Sequence, residues 1–410
     1  MTFGNIYNSL ALLITKFTLI MDIRKKTTLI LSMLILFSCS GYAKNVSRKD
    51  RTVANYIESA KQSIQDKQFE NAIEFCNKAL QLNPESVEAY NQRGNAYYNE
   101  GKYKEAINDY SKAIEINPNK ENLYYNRGTA KSHLQAYDEV IEDYTKEIEI
   151  NNKNTNAYLN RGTTEVVLKN YDAAIEDFNK LIELDPKNEQ AYFNRALANR
   201  LKGDYKASIE DYNEVLSLNP KNYEAYLNRG VAQYYLKNYE SAINDYNKVI
   251  EQNIGLKKVY YNRGLADFGL KKYENAILDF TKAIEYNPKN DLAYYNRGLA
   301  QEITNHYKAA LEDYSKAIEL NPKSAGYYAK RGALISKTDG DLHKALDDMD
   351  TAIKKDSKDT DKYLTRGIIY CKLNMYLPAI DDFNIALKLN KNNHYAAELR
   401  TYAIKSLTNY

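Results

Sequence analysis

The sequence predicts an all-α solenoid: ten helical hairpins stacked in line and closed by one further helix. Three rows of residues, all in phase, carry this expectation. Arg recurs every 34 residues at Arg93, Arg127, Arg161, Arg195, Arg229, Arg263, Arg297 and Arg331, then at Arg366 after 35 and Arg400 after 34. Small residues repeat alongside at Ala72, Ala106, Val140, Ala174, Ser208, Ala242, Ala276 and Ala310. Six of the 7 prolines share a third phase, at Pro84, Pro118, Pro186, Pro220, Pro288 and Pro322. Length alone, at about 150 residues per domain, suggests two or three globules. A fixed period overrides that prior, because each hairpin needs its neighbours to bury its apolar face.

The first 39 residues read as an address. Arg24, Lys25 and Lys26 precede a mostly apolar run from Thr27 to Phe37. That run is too short to span a bilayer as a helix, which takes about 20 residues, but suits the apolar core of a signal segment. Met21 reads as the true start. Leu36-Phe37-Ser38-Cys39 resembles a bacterial lipobox, which implies lipidation of Cys39 and an anchor in the membrane of a bacterial cell envelope. Cleavage after Ala43, giving a periplasmic or secreted protein, is one alternative, and an uncleaved anchor or no export is another. Residues 40–52 are expected to be a basic tether, with Lys44, Arg48, Lys49 and Arg51.

Residues 87–120 show the physics of one unit. Tyr90, Gly94 and Tyr97 fall on one helical face, Gly101 breaks the pattern, and Ala106, Ile107, Tyr110, Ala113 and Ile114 form the face of a second helix. Asn117-Pro118 ends it, since a residue before Pro is pushed out of the helical region. Gly within a helix costs roughly 1 kcal/mol against Ala, so its recurrence implies close packing.

This pattern resembles the tetratricopeptide repeat (TPR) family, whose aromatic–small–aromatic and Ala–aromatic–Ala–Pro signature is met by Tyr90, Gly94, Tyr97, Ala106, Tyr110, Ala113 and Pro118. The resemblance covers ten repeats over 53–393, with 394–410 as capping helix and C-terminus. It implies a right-handed superhelix with a concave groove. Asn152, Ile254, Ser357 and Lys391 depart from the Pro row, and Ser59-Ala60 replaces Arg-Gly in the first repeat. The 325–359 repeat carries one extra residue, expected in its Thr338–Leu342 turn.

Repetition turns single residues into ladders. Asn126, Asn160, Asn194, Asn228, Asn262 and Asn296 each precede the repeat's Arg. The resemblance places this phase in the groove, and it is similar to the asparagine ladders with which some TPR superhelices hold an extended chain. An amide offers donor and acceptor together, so it can pair with a peptide backbone of any sequence. One residue earlier stand Tyr125, Phe193, Tyr261 and Tyr295, with Leu159 and Leu227 between them. An inherited, purely structural Asn row stays open beside the binding one. The Arg row recurs with Asp109, Asp143, Asp177, Asp211, Asp245, Asp279, Asp313, Asp348 and Asp382, which suggests structural ion pairs within repeats or between them.

These features define a function class. The expected activity is that of a non-enzymatic scaffold holding an extended segment of a protein partner in its groove. The alternative is a structural subunit of a cell-envelope complex, joined through lateral or end contacts. Lys+Arg 57 against Asp+Glu 54 gives no basic excess for nucleic acid. Cys39, Cys76 and Cys371 are too few and scattered for a disulfide framework or a zinc site. No metal, cofactor or small-molecule substrate is expected, and no nucleophile–base pair or phosphate loop points to catalysis.

Overall fold

The computed structural model describes residues 48–252, 258–338 and 340–408. The signal segment, Cys39 and most of the expected tether lie outside the described residues. Those described form 21 helices and, among them, no strand. Twenty pair into ten hairpins, from Arg48–Gln65 with Phe69–Leu82 to Thr360–Lys372 with Tyr376–Leu389, and His394–Thr408 follows alone. The contacts divide the chain into two compact units between Ala157 and Tyr158, within helix Thr155–Val167. One boundary shifts: the first helix begins at Arg48, so Arg48, Lys49 and Arg51 are helical rather than tether.

The turn inside nine of the ten hairpins has one recurring geometry among the described residues. Its left-handed residue falls at Lys67, Gly101, Gln135, Lys169, Gly203, Lys237, Lys271, Asn305 and Asn374. This ends the first helix as a Schellman motif, in which the next N–H reaches back across the last turn, as Asn238 N–H does to Gln233 O at 2.9 Å. Only two of these positions are Gly, so seven carry a side chain in a conformation that costs roughly 1–2 kcal/mol. Between hairpins, an Asn or Asp side chain accepts the N–H two residues on, as Asn117 does from Asn119 and Asn219 from Lys221. Asn151, Asp356 and Asn390 make the same bond where the Pro is missing, so the Asx turn, rather than proline, is the constant stop. The extra residue lies in the turn after Ala325–Lys337, where Asp341 caps Leu342–Lys355 through the His343 and Lys344 N–H groups.

Small residues let the two helices of a hairpin close on a large buried ring. Tyr110, Tyr144, Phe178, Tyr212, Tyr246, Phe280, Tyr314 and Phe383 are all buried at one phase. Opposite them stands Gly in seven of these hairpins and Ala196 in the eighth. A Cβ added at Gly94 would lie 2.6 Å from the Tyr110 ring, and one at Gly367 2.5 Å from Phe383. Glycine at this phase lets the ring lie closest, and Ala196, opposite Tyr212, is the largest residue found there in these eight hairpins.

The Arg row ties the stack together. Nine arginines, Arg93 to Arg366, donate Nε and Nη2 to the two carboxylate oxygens of the Asp on the second helix of their own hairpin, at 2.6–3.0 Å. The pairs therefore lie within repeats. In the 325–359 repeat the partner sits 17 residues on instead of 16, which marks the inserted residue. The remaining Nη1 reaches back to the preceding hairpin, to Asn77 from Arg93, Asn213 from Arg229, Ser315 from Arg331 and Asp350 from Arg366. Most of these guanidinium groups also lie over the ring of the Tyr three residues earlier, as Arg229 does over Tyr226 at 5.4 Å. Burial pushes Asp177, Asp245, Asp313 and Asp382 up from the ordinary carboxylate range, and the Arg fork pulls them back.

Two substitutions test this account. Arg229→Leu strands a carboxylate whose side chain is 6% exposed. It should cost about 3–5 kcal/mol, read as a lower Tm by circular dichroism. An unchanged melt with loss of a bound partner would instead make Arg229 a ligand contact. Lys237→Gly relieves a φ of 61° and should raise stability by about 0.5–1 kcal/mol in urea denaturation.

Candidate interaction face

The second unit presents the longer run of the Asn ladder. Its first helices Glu189–Lys202, Tyr223–Tyr235, Lys258–Gly269 and Asp291–Ile303 touch one another in sequence. They carry Asn194, Asn228, Asn262 and Asn296, all half-buried. Direct contact between successive first helices makes theirs the tighter side of the stack in this unit, so the amides project along one narrow face.

The amides differ in what they already hold. Asn228 donates to Glu224 O of its own helix at 2.9 Å. Asn296 donates to Leu292 O and, across to the preceding first helix, to Tyr261 Oη at 3.0 Å. Among the described residues, the side chains of Asn194 and Asn262 make no hydrogen bond. Asn228 and Asn296 spend donors, which leaves their carbonyl oxygens as acceptors. In the first unit Asn126 donates to Asn91 Oδ1 at 3.0 Å. Asn160 is half-buried on helix Thr155–Val167.

The aromatic row sits deeper than an open binding surface. Tyr125 packs on Tyr144, Phe193 on Tyr212, Tyr261 on Phe280 and Tyr295 on Tyr314, with ring centroids 5.6–5.8 Å apart. Each therefore covers the buried ring of its own hairpin and offers outward only what is left. Burial raises the Tyr261 and Tyr295 hydroxyls from their ordinary value, so both stay neutral hydrogen-bonding groups. Leu197, Val231, Leu265 and Leu299, three residues after the Asn, are half-buried beside them. The face is neutral, amide-bearing and floored by rings.

Chemistry elsewhere is quiet. The Cys76 thiol is buried and pushed up to about 12 by desolvation, which makes it a packing residue rather than a nucleophile. Among the described residues no group of His, Cys, Asp and Glu is placed to hold a metal ion. No helix among them is long and apolar enough to cross a membrane.

Family models match the repeats directly. A family model described as "Tetratricopeptide repeat" matches residues 87–120, 155–188, 223–253 and 292–324. A second, described as "TPR repeat", matches 64–101, 198–237 and 264–302. A comparison with curated proteins finds no match. Among solved structures, a tetratricopeptide repeat protein from Parabacteroides merdae is 22% identical, with 61% of this chain and 99% of that chain covered at a TM-score of 0.45. YrrB, described as a TPR protein with an unusual peptide-binding site, is 22% identical over 44% of this chain and 94% of its own, at 0.39. The Cut9–Hcn1 hetero-tetramer of the APC/C is 13% identical over 87% and 84%, at 0.45.

Proposed function

The chain belongs to the tetratricopeptide repeat family, whose members are typically non-enzymatic protein-interaction scaffolds, and we propose that it holds an extended segment of a partner protein along the first-helix face. The observation that carries this is the set of open amides. Asn194 and Asn262 have no hydrogen-bonding partner among the described residues, and both stand half-buried on one face, on helices Glu189–Lys202 and Lys258–Gly269 with Tyr223–Tyr235 between them. Both amides are uncommitted within the fold and reach solvent, and a peptide backbone supplies complements to donor and acceptor together. The rings and Leu/Val side chains between the amides add apolar contact on a preformed surface. Preorganisation favours binding, because the protein loses little further entropy.

Export and anchoring belong to the same reading. Arg24 to Lys26, the Thr27–Phe37 run and Cys39 together support a lipid-anchored scaffold in a bacterial envelope.

Two measurements test the proposal. A photo-crosslinking residue at Asn228 should trap a partner in cells. Adding Asn194→Ala and Asn262→Ala to the probe-bearing protein should lower that capture at least tenfold with Tm nearly unchanged, since each lost charge-neutral hydrogen bond is worth about 0.5–1.5 kcal/mol. Undiminished capture would move binding to lateral or end contacts. For the anchor, radiolabelled palmitate should mark the wild type and not Cys39→Ser; label on both, or on neither, removes the lipid reading.

A further inference from the structure

One repeat breaks the ring pattern twice. The row Tyr125, Leu159, Phe193, Leu227, Tyr261 and Tyr295 continues to Ala329. The buried ring, present at one phase from Tyr110 to Tyr314 and again at Phe383, is replaced in this hairpin by Met349. The apolar row Leu197, Val231, Leu265 and Leu299 continues to Ala333. Ala329 and Ala333 lie four residues apart on helix Ala325–Lys337, hence on one face. Helix Leu342–Lys355 brings a flexible thioether where a rigid ring stands elsewhere. Neighbouring side chains do not reclaim the volume. A cavity of about 430 Å³ opens there, lined by Tyr295, Ala329, Ala333 and Met349 together with Lys330 and Asp361. Its size falls in the range of about 300–1,000 Å³ that holds small ligands.

The charges around the cavity form two sets. Lys362, whose side chain is 5% exposed, is held by Asp356 at 2.6 Å and Asp359 at 3.4 Å, so these three answer one another. Lys330 and Asp361 are exposed, and among the described residues neither side chain makes a hydrogen bond or ion pair. Lys330 stands at the step of the Asn ladder that follows Asn296. One open cation and one open carboxylate beside an apolar lining select a neutral group that both donates and accepts.

We propose that this cavity receives a tyrosine side chain of the partner segment, its ring against Tyr295 and Met349 and its hydroxyl between Lys330 and Asp361. The tyrosine's source rests on the groove reading above. A phenol can donate to Asp361 and accept from Lys330 at once. The fold already uses the first kind of bond, from Tyr327 Oη to Asp291 at 2.8 Å and from Tyr314 Oη to Glu302 at 2.6 Å. A second aromatic ring and a thioether sulfur both make favourable contacts with an incoming ring. A basic side chain would instead meet Lys330, an acidic one would meet Asp361, and phenylalanine would answer neither. The repeat that lacks two rings thus borrows one from its ligand.

The probes are p-cresol, toluene and n-butylammonium, each titrated into the full chain and followed by the methyl resonances of Ala329, Ala333 and Met349. p-Cresol should shift these resonances saturably, and the other two should bind at least tenfold more weakly. That ratio corresponds to about 1.4 kcal/mol, within reach of one hydrogen bond to a charged group. Ala329→Leu, which restores the residue found at Leu159 and Leu227, should abolish p-cresol binding, with circular dichroism confirming the fold. Lys330→Gln combined with Asp361→Asn leaves the lining intact and should weaken p-cresol to the level of toluene. Absence of a saturable p-cresol shift, equal binding by Ala329→Leu, or tighter binding of n-butylammonium overturns the proposal. These readouts use the chain without a partner, so they fail separately from the groove reading. Asn194→Ala with Asn262→Ala should leave p-cresol binding unchanged, whereas undiminished crosslinking in that variant removes the groove alone.

Discussion

The bidentate Arg–Asp fork is the interaction on which the rest of the stack depends. One guanidinium uses one edge to fasten the two helices of its hairpin and its remaining nitrogen to hold the hairpin before. Lys could not replace it, since an ammonium is a point charge without a planar edge to present to both oxygens. The fork also fixes the rotation of the two helices about each other. That rotation brings Gly230 under Tyr246 and Gly298 under Tyr314, with a Cβ at Gly230 only 2.6 Å from the ring. Electrostatics thus sets the geometry that the packing fills. A buried pair of this kind is weak evidence for stability by itself, but it specifies one arrangement against sliding alternatives.

Much of this was legible in the sequence because repetition averages out local noise. The Arg, Asp and small-residue rows survive in nearly every unit; in the first repeat Ser59 stands at the Arg phase and Phe75 at the Asp phase, and this loss of both together marks Arg and Asp as partners. Their pairing was not legible, because an Asp in line with an Arg is as close on one side of the helix as on the other until the crossing is known. The backward link was missed for a chemical reason. Its acceptors are Asn77, Ser111, Asn179, Asn213, Asn247, Thr281, Ser315, Asp350 and Asn384, a row defined by one oxygen atom rather than by residue type. The left-handed turn position hid in the same way. Its Lys, Gln and Asn residues have no shared propensity, and tertiary packing imposes the conformation on them.

The candidate face was legible in outline and altered in detail. Position in the repeat placed the Asn row on the first helices. It did not show that Asn228 and Asn296 spend donors on their own backbone, while Asn194 and Asn262 do not. The aromatic row looked like contact surface by composition. In the fold it lies against the ring that each hairpin buries, so it supports the amides from beneath. Side-chain function at one phase therefore depends on which neighbouring phase claims it first.

The tolerance of the backward link has a consequence for the chain's history and length. The guanidinium donates equally to an amide, a hydroxyl or a carboxylate oxygen of the hairpin before it, so the junction does not inspect its neighbour's identity. Any unit that carries the Arg can follow any other. A recombination that gains or loses one whole unit leaves a seam like the rest, so the number of units can change in single steps without redesigning a joint.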